Sequence, residues 1–126
     1  MRAFITPVAI LILLAGGSVW HSNAIGEYTE NCITGIDDAI RFSAEENWPA
    51  VRAALTISRT HWEKHRSYLR ITVSHSTVDA ADSMYSRAKA FAETEEITEF
   101  RAETAGLRML LLQLVETESL LLENIL

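Results

Sequence analysis

A chain of 126 residues allows one small domain, and 11 Lys plus Arg against 17 Asp plus Glu give it a formal net charge of −6. That balance argues against nucleic acid as a partner, because phosphate binding needs a basic surface. Only five glycines and two prolines interrupt a chain rich in Ala, Leu, Glu and Arg, a composition that favours helix over sheet.

The first element is MRAFITPVAILILLAGGSVW, in which Arg2 is the sole charge. Ala3 to Trp20 is 18 residues, which as a helix would span about 27 Å, close to the thickness of a bilayer core. Trp20 falls where the far membrane interface would lie. With Arg2 before the span and Glu27 and Glu30 after it, the positive-inside bias puts the N-terminus in the cytoplasm and the rest outside. Two readings stay open for residues 1–22: an uncleaved transmembrane anchor, or a signal peptide cut near Ser22-Asn23-Ala24. Trp20, His21 and the length of the apolar run favour the anchor. Leu14-Ala15-Gly16 begins like a lipobox, but Gly17 stands where the lipidated Cys belongs. Residues 23–126 are then an extracytoplasmic domain with an acidic surface.

The second element is a helix from about 25 to 44. Ile25, Tyr28, Cys32, Ile36 and Ala39 share one of its faces. Cys32 is the only cysteine, so it has no intramolecular disulfide partner and reads as a small buried apolar residue.

A long helix over 48–72 follows, capped by Asn47 with Pro49 in its first turn. Trp48, Leu55, Trp62 and Leu69 recur every seven residues, and Val51 joins their stripe. Within it lies HWEKH, with His61 and His65 four apart. Four-residue spacing brings two rings together on a helix surface. The zinc-hydrolase motif, however, needs Glu directly after the first His, and Trp62 holds that place. Further ligands come down to His75 and Asp79. The expectation is an ordinary helix flank with solvated histidines, and a metal- or small-ligand-binding domain using His61 and His65 is the alternative.

Ser74 to Thr77 marks a break, and Ser76 with Asp79 reads as a capping box. The next helix, 77–93, buries Val78, Ala81, Tyr85, Ala88 and Ala92, with Met84 and Phe91 alongside. The chain turns near Thr94, which is expected to cap a last helix over 95–117. There Phe100, Leu107 and Leu114 repeat the seven-residue pattern beside Ile97, Leu110 and Leu111, and Gly106 costs about 1 kcal/mol relative to Ala. The chain continues to ETESLLLENIL. Leu120, Leu121, Leu122, Ile125 and Leu126 must dock on the bundle, on a membrane or on a partner.

These elements predict an all-α fold: one N-terminal transmembrane helix, then an antiparallel bundle of about four helices. Its core is expected to contain Trp48, Leu55, Trp62, Leu69, Tyr85, Phe91, Phe100, Leu107, Leu111 and Leu114. A membrane segment, Asn47-Trp48, Trp62 fourteen residues later, a break at His75 with Asp79, two more helices and a closing Glu123-Asn124-Ile125-Leu126 follow one another. In this order the chain resembles the DUF4363 family, small membrane-anchored proteins of Firmicutes with no assigned function. The resemblance rests on Trp48, Trp62, His75, Asp79, Asn124, Ile125 and Leu126. It implies an uncleaved anchor, a helical outer domain and no catalytic residues.

The expected role is a scaffold or interaction module for another membrane or envelope protein. The membrane is contacted through residues 3–20, no cofactor is needed, and the oligomeric state is not encoded in any pattern. An enzyme finds no nucleophile elbow, Gly-rich loop or Cys pair here. A sensor domain would need a cavity between helices.

Overall fold

The computed structural model describes residues 29–72 and 75–125, and among these the side chains of all but 67–68, 70–72 and 118–125. Four helices and no strand occur in the described residues: α1 (residues 29–44), α2 (Trp48–Thr72), α3 (His75–Glu93) and α4 (Ile97–Ile125). The apolar run 3–20, with Ile25 and Tyr28, lies outside them. None of the described helices is long and apolar enough to cross a membrane.

Contacts between neighbouring helices set an up-and-down bundle. Ser58 Oγ on α2 reaches the Cys32 carbonyl on α1 at 2.7 Å. Arg52, Arg59 and Trp62 reach Ala92, Ser86 and Asp82 on α3. Residue numbers rise on α2 as they fall on α3, so the two run antiparallel. Arg87 of α3 pairs with Glu103 of α4, and Arg108 of α4 closes the ring by bonding Asp37 of α1 at 2.6 Å. Trp48 and Phe100 meet edge to face across the diagonal, with centroids 5.9 Å apart and planes at 83°, a favoured aromatic geometry.

Two inter-helix turns share one design. After α1 the chain passes through Glu46 at φ 55, and after α3 through Glu95 at φ 57. Asn47 N–H bonds the Phe42 carbonyl at 3.0 Å and Glu96 N–H bonds the Phe91 carbonyl at 2.9 Å. These six-to-one bonds around a left-handed residue are Schellman caps, built here on Glu instead of Gly. The cap of α2 is as expected, with Asn47 Oδ1 accepting from Ala50 N–H at 3.4 Å. That of α4 is not. Thr94 turns its hydroxyl back to the Ala90 carbonyl at 3.1 Å, and Glu96 supplies the first carbonyl of α4, to Phe100 N–H. Helix α3 has already begun at His75, so Ser76 lies in its first turn instead of ahead of it. Helix α4 runs past the expected end at 117 to Ile125, because neither Gly nor Pro follows Gly106.

The turns are 49 residues apart, and so is the pattern of burial. Cys32, Ile36, Ala39, Ser43, Val51, Leu55, Ser58 and Trp62 become Ala81, Tyr85, Ala88, Ala92, Phe100, Thr104, Leu107 and Leu111 when shifted by 49, and all of them are buried. The bundle is therefore two helical hairpins of matching register with different side chains. Nine of the ten expected core residues are buried. The exception, Phe91, is half-buried against the core beside the α3–α4 turn.

Candidate functional site

HWEKH lies midway to late along α2. Trp62 is buried, stacks obliquely on Tyr85 at 6.2 Å and donates its indole N–H to Asp82 Oδ1 at 2.8 Å. Arg66 approaches the other oxygen of Asp82 at 3.7 Å. Glu63 pairs with Arg59 at 3.3 Å on the α3 flank, whereas the histidines lie on the opposite flank of the Trp62 stripe. The glutamate therefore cannot serve as a base beside a metal held by His61 and His65. Both histidines are half-buried, each keeping part of its surface in solvent. Burial first, then the charges of His61 and Lys64, hold the His65 imidazole below its ordinary value, favouring its neutral form. His75 and Asp79 stand on the exposed side at the start of α3. Among the described residues no three His, Cys, Asp or Glu side chains converge as a ligand set.

The centre of the bundle holds a polar contact that no motif announced. Ser58 and Tyr85 are fully buried, and their hydroxyls meet at 2.7 Å while Ser58 also donates to the Cys32 carbonyl. Gly35 makes room for this: a Cβ on it would lie 2.7 Å from Ser58 Cβ. Burial pushes the Cys32 thiol up to about 11 and the Tyr85 phenol well above its usual value, in both cases the largest effect. A protonated, enclosed thiol is a weak nucleophile. The polar atoms here satisfy one another and hold α1, α2 and α3 in register. The signal available in the sequence was Ser58 standing seven residues after Val51, a polar residue on an apolar stripe.

The seam between α2 and α3 carries a second unannounced pattern. Arg52, Arg59 and Arg66 stand seven apart and each reaches across to α3. Between the first two, Arg52, Leu55, Thr56, Arg59, Lys89 and Glu93 line a groove of about 180 Å³.

The C-terminal apolar residues sit at one end of the bundle. Position 84 lies opposite 106 and 87 opposite 103, so His75 comes level with residue 115. The last ten residues of α4 thus pass the start of α3, by about 15 Å. The backbone is helical through Leu120, Leu121, Leu122, Asn124 and Ile125, while their side chains, and Leu126 altogether, lie outside the described residues. Exposed Met109 and Leu112 precede them on α4.

The family model of a domain of unknown function, DUF4363, matches residues 19–125. No curated protein and no solved structure matches the chain.

Proposed function

The chain belongs to the DUF4363 family, and from that premise and the geometry of the bundle we propose that it is a membrane-anchored, extracytoplasmic interaction module that binds another envelope protein. The observation that carries this reading is the end of the bundle at which α1 starts and α4 finishes. An even number of antiparallel helices returns α4 to the end where the chain enters α1. The apolar run 3–20 precedes that entry, so an anchor there holds this end toward the membrane. At the same end α4 outruns α3, and its last turns, which carry Leu120, Leu121, Leu122 and Ile125 in sequence, extend past the described start of α3, with Leu126 next in the chain. An anchored partner approaching along the membrane meets this stretch first.

The test is chemical cross-linking of the full-length protein in its native membrane, followed by purification, with residues 120–126 present or deleted. The reading expects a membrane or envelope protein that is captured by the intact chain and lost with the deletion. Equal capture by both forms, or none by either, rejects the C-terminal contact. Protease digestion of intact cells checks the orientation: protection of the bundle from external protease would place it in the cytoplasm and reject the extracytoplasmic assignment.

A further inference from the structure

We infer that the groove between α2 and α3 lined by Arg52, Arg59 and Lys89 is a binding site for a small phosphoryl group. The chain as a whole is acidic, at −6, yet this groove concentrates three cations against one lining acid, Glu93. The acids that face the cations leave an excess of positive charge. Glu63 takes Arg59 at 3.3 Å, and Glu93 stands 4.0 Å from Lys89. Among the described residues Arg52 reaches the neutral Ala92 carbonyl, at 3.4 Å, and no acid. Its guanidinium is held by that bond and by its half-buried stem, with most of its N–H donors left over. Arg59 is braced in the same way by Ser86 Oγ at 3.2 Å. Two braced, planar forks with a third cation beside them suit an oxyanion with several acceptor oxygens. Leu55 and Thr56 complete the lining.

Size narrows the class. About 180 Å³ is below the range of roughly 300–1,000 Å³ that takes a drug-sized ligand. The groove therefore fits the phosphoryl end of a molecule and not a whole cofactor. Position separates the sources. Arg59 lies thirteen residues before the end of α2, about 20 Å from that end of the helix. A soluble or partner-borne phosphate ester reaches the groove there, while the headgroups of a membrane at that end do not.

The experiment uses the full chain, isotopically labelled, in uncharged detergent micelles, and follows its amide and arginine side-chain resonances by NMR. Inorganic phosphate and glycerol 3-phosphate are titrated at constant ionic strength, and phosphatidylglycerol is added to the micelles in a separate arm. Saturable shifts centred on Arg52, Thr56, Arg59 and Lys89 with the soluble esters support the site. Saturable shifts there with phosphatidylglycerol alone would support the phosphoryl site but overturn the soluble source. Arg52→Gln should weaken binding by about tenfold, the loss of one charge-assisted hydrogen bond. Arg52→Lys, which keeps the charge without the fork, should fall between. Thermal melts confirm that both variants are folded. Shifts that never saturate, or that equal those from chloride, or that are the same in Arg52→Gln, overturn the inference.

Discussion

Replacing Gly35 with Ala tests the central packing of the bundle most directly. In a helix interior this change is ordinarily favourable by up to about 1 kcal/mol, because Ala has less backbone entropy to lose. Here the new Cβ would meet Ser58 Cβ at 2.7 Å, Ser58 Cα at 3.0 Å and Ser58 N at 3.1 Å. Carbon atoms pack best at roughly 3.5–4.0 Å, and two of these three atoms are backbone, so no rotamer change relieves the clash. Helix α1 or α2 must move outward by several tenths of an ångström. That movement costs about 1–3 kcal/mol as overpacking. It also stretches the buried 2.7 Å bonds from Ser58 to Cys32 and Tyr85, at about 1 kcal/mol or more for each bond lost. After the propensity gain, a net destabilisation of about 2–3 kcal/mol is expected. Gly106→Ala is the matched control. Its Cβ would meet only Met84 Cε, at 4.0 Å, so propensity acts alone and stability should rise by about 0.5–1 kcal/mol. Urea denaturation followed by circular dichroism measures both. Gly35→Ala at or above wild-type stability would refute the close approach of α1 to α2.

The other predictions concern separate parts of the bundle. Trp62→Ala should destabilise by about 3–5 kcal/mol, since it empties a buried position and removes the Asp82 bond; an unchanged melting midpoint would mean that Trp62 is not in the core. Glu46→Gly and Glu95→Gly should each raise stability by up to about 1 kcal/mol, because both residues hold a left-handed backbone that glycine adopts without cost; a loss of stability would show that these side chains have another role. The thiol of Cys32, raised from 9.0 to about 11 in the fold, leaves the protein at full strength below pH 9. The unfolded thiol ionises first, so up to about 2–3 kcal/mol is lost as pH rises from 9 to 11, with Tyr85 acting in the same direction. Melts between pH 8 and 11 on wild type and Cys32→Ala check this, and so does a thiol reagent at pH 8, which should label the native protein only at its rate of opening.

Most of the helical architecture is a local property and is legible in the sequence. The stripe of Trp48, Leu55, Trp62 and Leu69 and the face of Val78, Ala81, Tyr85, Ala88 and Ala92 follow from the helical repeat alone, and each was buried where expected. Asn47 as a cap follows in the same way, because a cap acts within one turn. Turn chemistry was less legible. Glu at the left-handed positions 46 and 95 carries no glycine signal, so the sequence points to Thr94 as the cap, the place that Glu96 takes.

Which residues face one another across helices is a matter of packing. Asp37 meets Arg108 at a separation of 71 residues, and Ser58 meets Cys32, Gly35 and Tyr85. Helical periodicity states which face is apolar but not the axial register between faces. That register is set by the lengths of the turns and by close contacts such as Gly35 on Ser58. The same register sets the proposed sites. The cations of the α2–α3 groove are scattered in the chain, and α4, with 29 residues, outruns α3, with 19.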